Sequence, residues 1–294
     1  MTVRYALSNE ADDQFRETLV QLAESVSGGR VCEIGGGANP ALPIDLVERL
    51  GIQYTVVDVS QEELAKAPDE YRKVCADITQ PNHGVEGPFD LIFSFWCAEH
   101  VADGEAFHRG VYNLLAEGGR ALHLFPTLYA PPFVLNRLLS ESFSEKLLLW
   151  LQPYRQKEGN HGKFPAKYSW CRGPSSRQIK KFQRLGFQIE EYAAFFGHSG
   201  KVAFGAGYLD RLPPLCRIHE WLSRCLLACP SPLLTTFAYV HLLRPEVTVL
   251  NKNITPWDST DRPVKVCCGK QCSDESQESI TAVSYTHLTL PTKA

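Results

Sequence analysis

Short apolar runs alternate with amphipathic segments over the first half of the chain. In the amphipathic segments, apolar side chains recur three and four residues apart, which predicts helices. Strands that alternate with helices over short links are typical of a doubly wound parallel sheet. The predicted strands cover residues 30–34, 53–57, 71–75, 89–95 and 120–125, and the predicted helices cover 10–26, 41–50, 60–67 and 103–116.

The alternation is interrupted after the fifth strand. Residues 127–172 contain an amphipathic helix, predicted over 132–151, and then an irregular stretch rich in aromatic and basic residues. A helix (175–185), a strand (187–195), a helix (208–229) and a last strand (234–243) follow. We therefore predict one α/β domain over residues 1–245, with a helical and aromatic cap inserted at 127–172.

The remainder of the chain differs in character. Residues 246–282 are polar and lack periodicity, which predicts a tail. Residues 283–294 read like the translation of a sequencing-library adaptor, and we exclude them from the reasoning about the fold.

The turn after the first strand is the first candidate site. Glu33-Ile34 leads into Gly35-Gly36-Gly37, and a helical pattern follows. Glycines allow positive φ and let a ligand approach the backbone, so this turn fits a nucleotide-like ligand at the carboxyl edge of a parallel sheet. Glu33 would repel a pyrophosphate and attract a positive group. An ordinary tight turn would have the same glycines.

Three further segments follow the next strands in the same way. Asp58 and Asp77 come at the ends of the second and third strands, and residues 94–101 follow the fourth. Taken singly, each aspartate is typical of a turn or a helix cap. Their succession after apolar strands, behind a glycine turn, favours one shared ligand.

With these motifs the chain resembles the class I S-adenosylmethionine (SAM)-dependent methyltransferases, in their small-molecule branch. The resemblance covers about residues 30–125. It implies a Rossmann-like, mostly parallel sheet of seven strands with the last strand antiparallel, and SAM as the cofactor. It also implies a set of cofactor-binding residues: Glu33, Gly35, Gly36, Gly37, Asn39, Asp58, Val59, Asp77, Ile78, Ser94, Phe95 and Glu99.

The resemblance further implies a role for several of these residues. Glu33 would interact with the amino end of the methionine part of SAM, partly through water. Asp58 would accept hydrogen bonds from both ribose hydroxyls, because a carboxylate has two oxygens. Asp77 would accept from the adenine amino group while Ile78 packs on the ring. Asn39 stands where a third glycine is common.

Candidate catalytic residues are fewer. If the acceptor is a hydroxyl or an amine, its proton must leave, and His100, His161 and Tyr168 are the candidate bases. His100 also suits a structural role at a helix start. Some relatives add an acidic metal ligand three positions before Glu99, where this chain has Trp96, so we expect no metal.

Composition narrows the class of protein. The formal net charge of −3 does not indicate a nucleic-acid partner. The first residues show no secretory signal, and the ten cysteines are mostly scattered, so we expect reduced thiols and a cytoplasmic location. No apolar run is long enough to span a bilayer, although peripheral membrane contact of the cap is compatible with the pattern.

The cap carries the main charge signal. Residues 153–181 hold eight basic residues and one acidic residue, a local balance of +7, with aromatic residues interleaved. A solvated basic surface has this pattern, and so does a pocket for an anionic small molecule that is phosphorylated, carboxylated or nucleotide-linked. His161, Tyr168 and Trp170 are the candidate pocket residues.

Two other functions remain open at this level. An NAD(P)-dependent oxidoreductase would use the same glycine turn with Asp58 on the ribose, but Pro40 then falls where glycine or alanine is expected. A catalytically inactive module would bind SAM without turnover. The sequence does not distinguish among O-, N- and C-methylation.

Overall fold

Eight strands form one central sheet. The computed structural model describes residues 1–130, 166–197 and 212–246, together with positions 134, 138–140, 142, 143, 146, 147 and 150. The strands are β1 (Thr2–Leu7), β2 (Arg30–Ile34), β3 (Gln53–Asp58), β4 (Arg72–Cys75), β5 (Phe89–Phe95), β6 (Leu115–Pro126), β7 (Gln188–Phe196) and β8 (Phe237–Leu243). Their order across the sheet is β1-β7-β8-β6-β5-β2-β3-β4.

The sheet is parallel except at β8, which runs antiparallel to both of its neighbours, β6 and β7. β2 lies between β3 and β5, and both pairs are parallel. The carboxyl ends of these three strands therefore meet at one edge, where an open α/β sheet binds its ligand. The predicted fold class, a doubly wound, mostly parallel sheet with an antiparallel last strand, is confirmed.

The first strand was not predicted, and it brings the sheet to eight strands rather than seven. β1 pairs in parallel with β7, with Thr2 opposite Glu191. Nε of Arg4 donates to Oε1 of Glu191 at 2.9 Å, and the Arg4 guanidinium also donates to the Tyr239 hydroxyl. Since this edge strand is only partly buried, its sequence lacks the apolar run by which buried strands are recognised.

Six helices cover the faces of the sheet within the described residues. They are α1 (Ala11–Ser25), α2 (Ile44–Leu50), α3 (Gln61–Leu64), α4 (Gly104–Leu114), α5 (Ser176–Arg184) and α6 (Pro213–Ala228). Two short 3₁₀ turns occur at Ser8–Glu10 and Ala98–His100.

Side-chain caps begin three of these helices. The hydroxyl of Ser60 accepts from the Glu63 amide, Asp103 accepts from the second and third amides of α4, and Ser175 accepts from the Gln178 amide. Each cap satisfies donors that have no partner within the helix, and this explains why the helices begin close to the predicted positions.

The end of α4 differs from the prediction. Gly118 and Gly119 looked like a helix C-terminus, but α4 ends at Leu114 and the glycines lie within β6. The pairing of β5 with β6 shifts register at this point, and Gly118 has a φ of +74°. The two glycines therefore form an irregularity in a strand, a second use of glycine that sequence alone does not separate from a helix cap.

Part of the cap packs against the domain. The amide of Leu128 donates to the carbonyl of Cys171 at 3.1 Å. Residues 166–172 include the buried Tyr168 and Cys171. We call this segment the strap. His161 and most of the predicted cap helix lie outside the described residues. No helix in the described part of the chain is long and apolar enough to cross a membrane.

Candidate functional site

The glycine turn leaves β2 at the carboxyl edge of the sheet. Gly35 and Gly37 have φ values of +80° and +46°, a region that side chains with a Cβ rarely adopt. The Gly35 amide donates to the Val57 carbonyl at 2.7 Å, which ties the turn to β3. The Asn39 amide donates to the Gly36 carbonyl at 3.0 Å. The backbone thus requires glycine on both sides of Gly36.

Glycine is needed at position 36 for a different reason, because there is no room for a Cβ. A Cβ at this position would lie 2.6 Å from Cγ1 of Val56 and 2.9 Å from Cδ of Glu33. Both distances are shorter than real carbon contacts, so any larger residue would displace the Glu33 carboxyl. The turn therefore packs directly on the acidic side chain that precedes it.

Glu33 is fully buried beneath the turn. Its Oε2 accepts from the Ala41 amide at 2.9 Å and from the hydroxyl of Tyr54. Burial raises the pKa of Glu33 to about 7, and these hydrogen bonds offset only part of that shift. Asp58 raises this pKa further, whereas Arg16 lowers it. Tyr54, which orients the carboxyl, carries no motif by which sequence reasoning could have found it.

Asp58 is the second buried carboxyl, at the end of β3. Its Oδ1 accepts from the Ser60 amide at 2.8 Å, whereas its buried Oδ2 has no hydrogen-bond partner among the described residues. Burial is the main cause that raises the pKa of Asp58 to about 7. The next residue, Val59, is partly buried. A buried oxygen without a donor is costly, and it indicates a ligand with a donor group.

Asp77 and Ile78 follow β4 at the same carboxyl edge of the sheet. Asp77 is exposed, and its Oδ1 accepts from the amide and the hydroxyl of Thr79 at 2.9 and 2.7 Å. Ile78 is buried, and Gly110 of α4 lies against it, where a Cβ would come within 2.3 Å of the Ile78 carbonyl oxygen. Asp77 is thus held by its own turn, and its Oδ2 accepts from Nε2 of Gln80 at 3.4 Å.

Ser94 and Phe95 point into the protein. The Ser94 hydroxyl lies 2.8 Å from Nδ1 of the buried His123, so it is occupied within the core. Phe95 stacks on Phe15 of α1 with ring centroids 5.2 Å apart. Of the segment predicted to line the methyl-donor side, these two residues therefore offer backbone rather than a polar side chain.

Glu99 connects the edge to the strap. Its carbonyl accepts from the amides of Lys167 and Tyr168 at 2.7 and 2.8 Å. Its carboxyl is buried, and Oε2 has no hydrogen-bond partner among the described residues. Burial raises the pKa of Glu99 to about 8, so the carboxyl is largely protonated at neutral pH. Burial raises the pKa of the Cys97 thiol, and the negative charges of Glu99 and Asp58 raise it further.

The structure describes two of the three candidate bases, His100 and Tyr168. Nε2 of His100 lies 3.7 Å from Oε1 of Glu99, and its side chain is mostly buried. Tyr168 is buried and has a φ of +51°. Trp170, a predicted pocket residue, packs on His108 and Phe182 instead, with ring centroids 5.6 and 5.7 Å away. The structure thus brings His100 and Tyr168 together around Glu99, and it packs the partly buried Trp170 against the core.

Arg16 of α1 is a site residue that the sequence analysis did not single out. Its guanidinium lies over the Phe95 ring, 4.7 Å from the centroid, and its Nε donates to Asp12 at 3.0 Å. Its charge lowers the pKa of Glu33. The only sequence signal is a basic residue on an amphipathic helix, which many surface helices share.

Several basic residues of the cap have structural partners. Arg172 donates to the carbonyls of Tyr168 and Cys171 and lies over the Tyr129 ring, while Lys181 lies over the Trp170 ring. Lys167, next to the Glu99 carbonyl, is exposed. Among the described residues, no group of three His, Cys, Asp or Glu side chains could hold a metal ion.

Comparisons with known structures found proteins of low identity. A SAM-dependent methyltransferase from Mesorhizobium loti is 18% identical, covers 80% of this chain and 100% of its own, and has a TM-score of 0.46. The [4+2]-cyclase SpnF is 15% identical, with 82% and 83% covered and a TM-score of 0.47. Phosphoethanolamine N-methyltransferase 2 from Haemonchus contortus, in complex with SAM, is 19% identical, with 80% and 53% covered and a TM-score of 0.45. Likenesses at this level add nothing about activity.

The comparison with protein-family models is decisive. A search of curated proteins returned no match. The methyltransferase domain model matches residues 7–192, which include the carboxyl ends of β2, β3, β4 and β5 and the strap. This match favours methyl transfer over the oxidoreductase alternative. The chain belongs to the methyltransferase domain family and is a SAM-dependent methyltransferase.

Proposed function

We propose that SAM binds along the carboxyl edge of β2, β3 and β4 and that its methyl group is transferred to a small anionic acceptor under the strap. The observation that carries the cofactor site is the buried Oδ2 of Asp58, which has no hydrogen-bond partner among the described residues. A ribose hydroxyl is a neutral donor of the size and kind that this oxygen lacks. The residues present therefore fit the cofactor.

The other proposed contacts with SAM follow from the charge and polarity of the residues at this edge. Glu33 and Arg16 lie close enough to influence each other electrostatically, and together they match the ammonium and the carboxylate of an amino-acid group. The exposed oxygen of Asp77 suits the adenine amino group, with Ile78 as the apolar neighbour. The glycine turn leaves the backbone open to close approach. When bound, SAM supplies a methyl group that its sulfonium makes electrophilic.

The strap supports the acceptor site. It is fastened to the Glu99 carbonyl by two amides, so it covers the end of β5 next to the cofactor edge. With a pKa of about 8, Glu99 is largely uncharged at pH 7 and would not repel an anion. Lys167 and Arg172 add positive charge on the strap itself. An anionic acceptor agrees with this balance better than a cationic one.

His100 is the proposed base for an acceptor that loses a proton. Its Nε2 lies 3.7 Å from Oε1 of Glu99, so where Glu99 is already ionised its charge would stabilise the imidazolium that forms when His100 takes the acceptor's proton. Tyr168 is the second candidate, and His161 remains a candidate from the sequence alone. The protein otherwise contributes by holding the acceptor close to the methyl group and excluding water.

Labelled SAM and a set of small molecules would test the proposal. Methyl transfer is measured with phosphorylated and carboxylated acceptors and with their neutral analogues. We expect label in the anionic set, a large loss of transfer with His100→Gln, and little loss with His83→Gln as a control on a distant loop. Transfer to neutral analogues alone would refute the anionic acceptor. SAM binding in calorimetry with no transfer to any acceptor would favour the inactive module.

A further inference from the structure

The last helix, α6, turns four large apolar residues away from the protein. Ile218 and Trp221 are 56% and 63% exposed, and Leu215 and Leu222 are each 46% exposed. A helix on a water-soluble domain normally buries such side chains and exposes polar ones. Contiguous exposed apolar patches of this kind mark interaction sites.

The face that α6 turns toward the sheet holds the buried Ser223, with Leu226 and Leu227 only partly buried beside it. Ser223 is buried, and its hydroxyl donates to the His219 carbonyl at 2.7 Å. A Cβ on Gly197, just after β7, would lie 3.2 Å from Oγ of Ser223, so the helix approaches the chain closely there. Cys216 and His219 are partly buried on the same side. The orientation of α6 is therefore set by its contacts with β1 and β7 and leaves the four large apolar residues outside.

Helical geometry arranges the exposed residues into one continuous apolar arc. At about 100° per residue, the arc covers about 140° of the helix circumference. It contains only apolar residues and cysteines: Pro214, Leu215, Ile218, Trp221, Leu222, Cys225, Ala228 and Cys229. Leu233 and Leu234, shortly after the helix, are also about half exposed.

The charged residues of α6 lie along one border of this arc. Arg217 and Arg224 are its immediate neighbours, on the side where Trp221 stands, and Glu220 lies farther round toward the protein. All three are exposed. Arginines beside an apolar face, with a tryptophan at the boundary, match a bilayer surface, where the guanidinium reaches the headgroups and the indole sits at the interface.

We propose that α6 docks the protein on an anionic lipid surface, with the apolar arc in the acyl boundary and Arg217 and Arg224 on the headgroups. Charge favours this occupant over a second copy of the chain. Two copies joined antiparallel through the arc would bring their arginine borders together, with Glu220 on the far side of each helix. The proposal does not depend on the identity of the acceptor.

Vesicle flotation of the full chain tests this proposal. We compare vesicles of phosphatidylcholine with vesicles that also contain phosphatidylserine, at low and high salt. We expect binding to the anionic vesicles that weakens with salt, because the arginine contribution is screened. Ile218→Ser combined with Trp221→Ser should lower the partition coefficient for both kinds of vesicle by about tenfold or more.

A second pair of changes separates charge from apolar contact. Arg217→Gln combined with Arg224→Gln should lower partition to the anionic vesicles by about 25-fold, at about fivefold per arginine, and leave the neutral vesicles unchanged. Arg49→Gln combined with Arg184→Gln, at two exposed arginines outside α6 and the cap, is the matched control and should bind as the wild type does. An unchanged near-ultraviolet circular dichroism spectrum and urea midpoint would show that each variant is folded.

Three results would overturn the proposal. One is that the protein binds neither kind of vesicle. Another is binding that survives the loss of Ile218 and Trp221. The third is a dimer in sedimentation equilibrium that the same double variant dissociates, without vesicle binding, which would assign the arc to a second copy of the chain.

Discussion

Replacing Asp58 with asparagine should change stability and cofactor binding in opposite directions. The folded protein raises the pKa of this carboxyl from 3.8 to about 7, chiefly by burial. A group whose pKa is raised on folding stabilises the folded state less as the pH rises. The raised pKa of Asp58 therefore costs the ligand-free protein stability progressively as the pH rises from about 3.8 to about 7, and the cost is constant above that range.

The size of the effect follows from the two pKa values. At about 1.4 kcal/mol for each pH unit between them, the raised pKa costs about 4 kcal/mol at pH 8, where Asp58 is ionised, and about 2 kcal/mol at pH 5, where folding keeps it protonated. Asparagine removes the charge but keeps an oxygen for the Ser60 amide. Its buried amide group adds a penalty of about 1–3 kcal/mol that does not depend on pH. The pH-dependent difference, about 2–3 kcal/mol between pH 5 and 8, is thus the quantity to measure.

Urea unfolding of the ligand-free wild type and Asp58→Asn at pH 5 and 8 measures this difference. Relative to the wild type, the variant should gain about 2–3 kcal/mol in free energy of unfolding over that range. Its affinity for SAM, measured by calorimetry, should fall at least about tenfold, because hydrogen bonds to a charged acceptor are lost. Glu70→Gln, which removes an exposed carboxylate nearby, should do neither. A pH-independent difference would refute the assigned burial of charge, and unchanged SAM affinity would refute the ribose contact.

Three further predictions concern neighbouring groups. The affinity of the wild type for SAM should rise between pH 6 and 8, because Glu33 has a pKa of about 7 and becomes charged over this range. Calorimetry of Glu33→Gln should show a smaller rise in affinity. An equal rise in the variant would contradict this role of Glu33. Burial lowers the pKa of His123 to about 3, so the folded state holds it neutral and loses stability as the pH falls below about 6.5. His123→Leu should therefore reduce the loss in free energy of unfolding between pH 6.5 and 4.5 by about 2–3 kcal/mol, and an identical acid profile would count against it. Gly110→Ala would place a Cβ 2.3 Å from the Ile78 carbonyl oxygen, so it should destabilise the protein by about 1–3 kcal/mol and weaken SAM binding, whereas unchanged values for both would show that α4 shifts without effect.

Part of the site could be read from the chain because local sequence determines it. Gly35 and Gly37 occupy positive φ values, and Asp58 directly follows a buried strand. Both are properties of a few consecutive residues, which a pattern can express. Their order after β2 and β3 then predicts that they share one edge, since parallel strands place their carboxyl ends together.

Other features could not be read because they depend on residues far apart in sequence. Arg16 reaches the site from α1, and Tyr54 holds Glu33 across the sheet. Ser94 looked like a polar residue of the ligand edge, but its hydroxyl is bonded to His123, a partner from the adjacent strand. Which side of a strand a hydroxyl faces, and what it meets there, is decided by packing rather than by neighbouring residues.

The sequence by itself determined the fold class, the glycine turn, the acidic strand ends and hence the methyltransferase family, because apolar periodicity and turn chemistry are local properties. The tertiary structure alone decided that β1 extends the sheet, that Trp170 packs against the core, and that α6 presents Ile218 and Trp221 to the outside. The apolar pattern of α6 predicts a helix with one hydrophobic side, but the close contacts at Ser223 determine which side faces the protein. Such contacts join distant parts of the chain, and only folding brings them together.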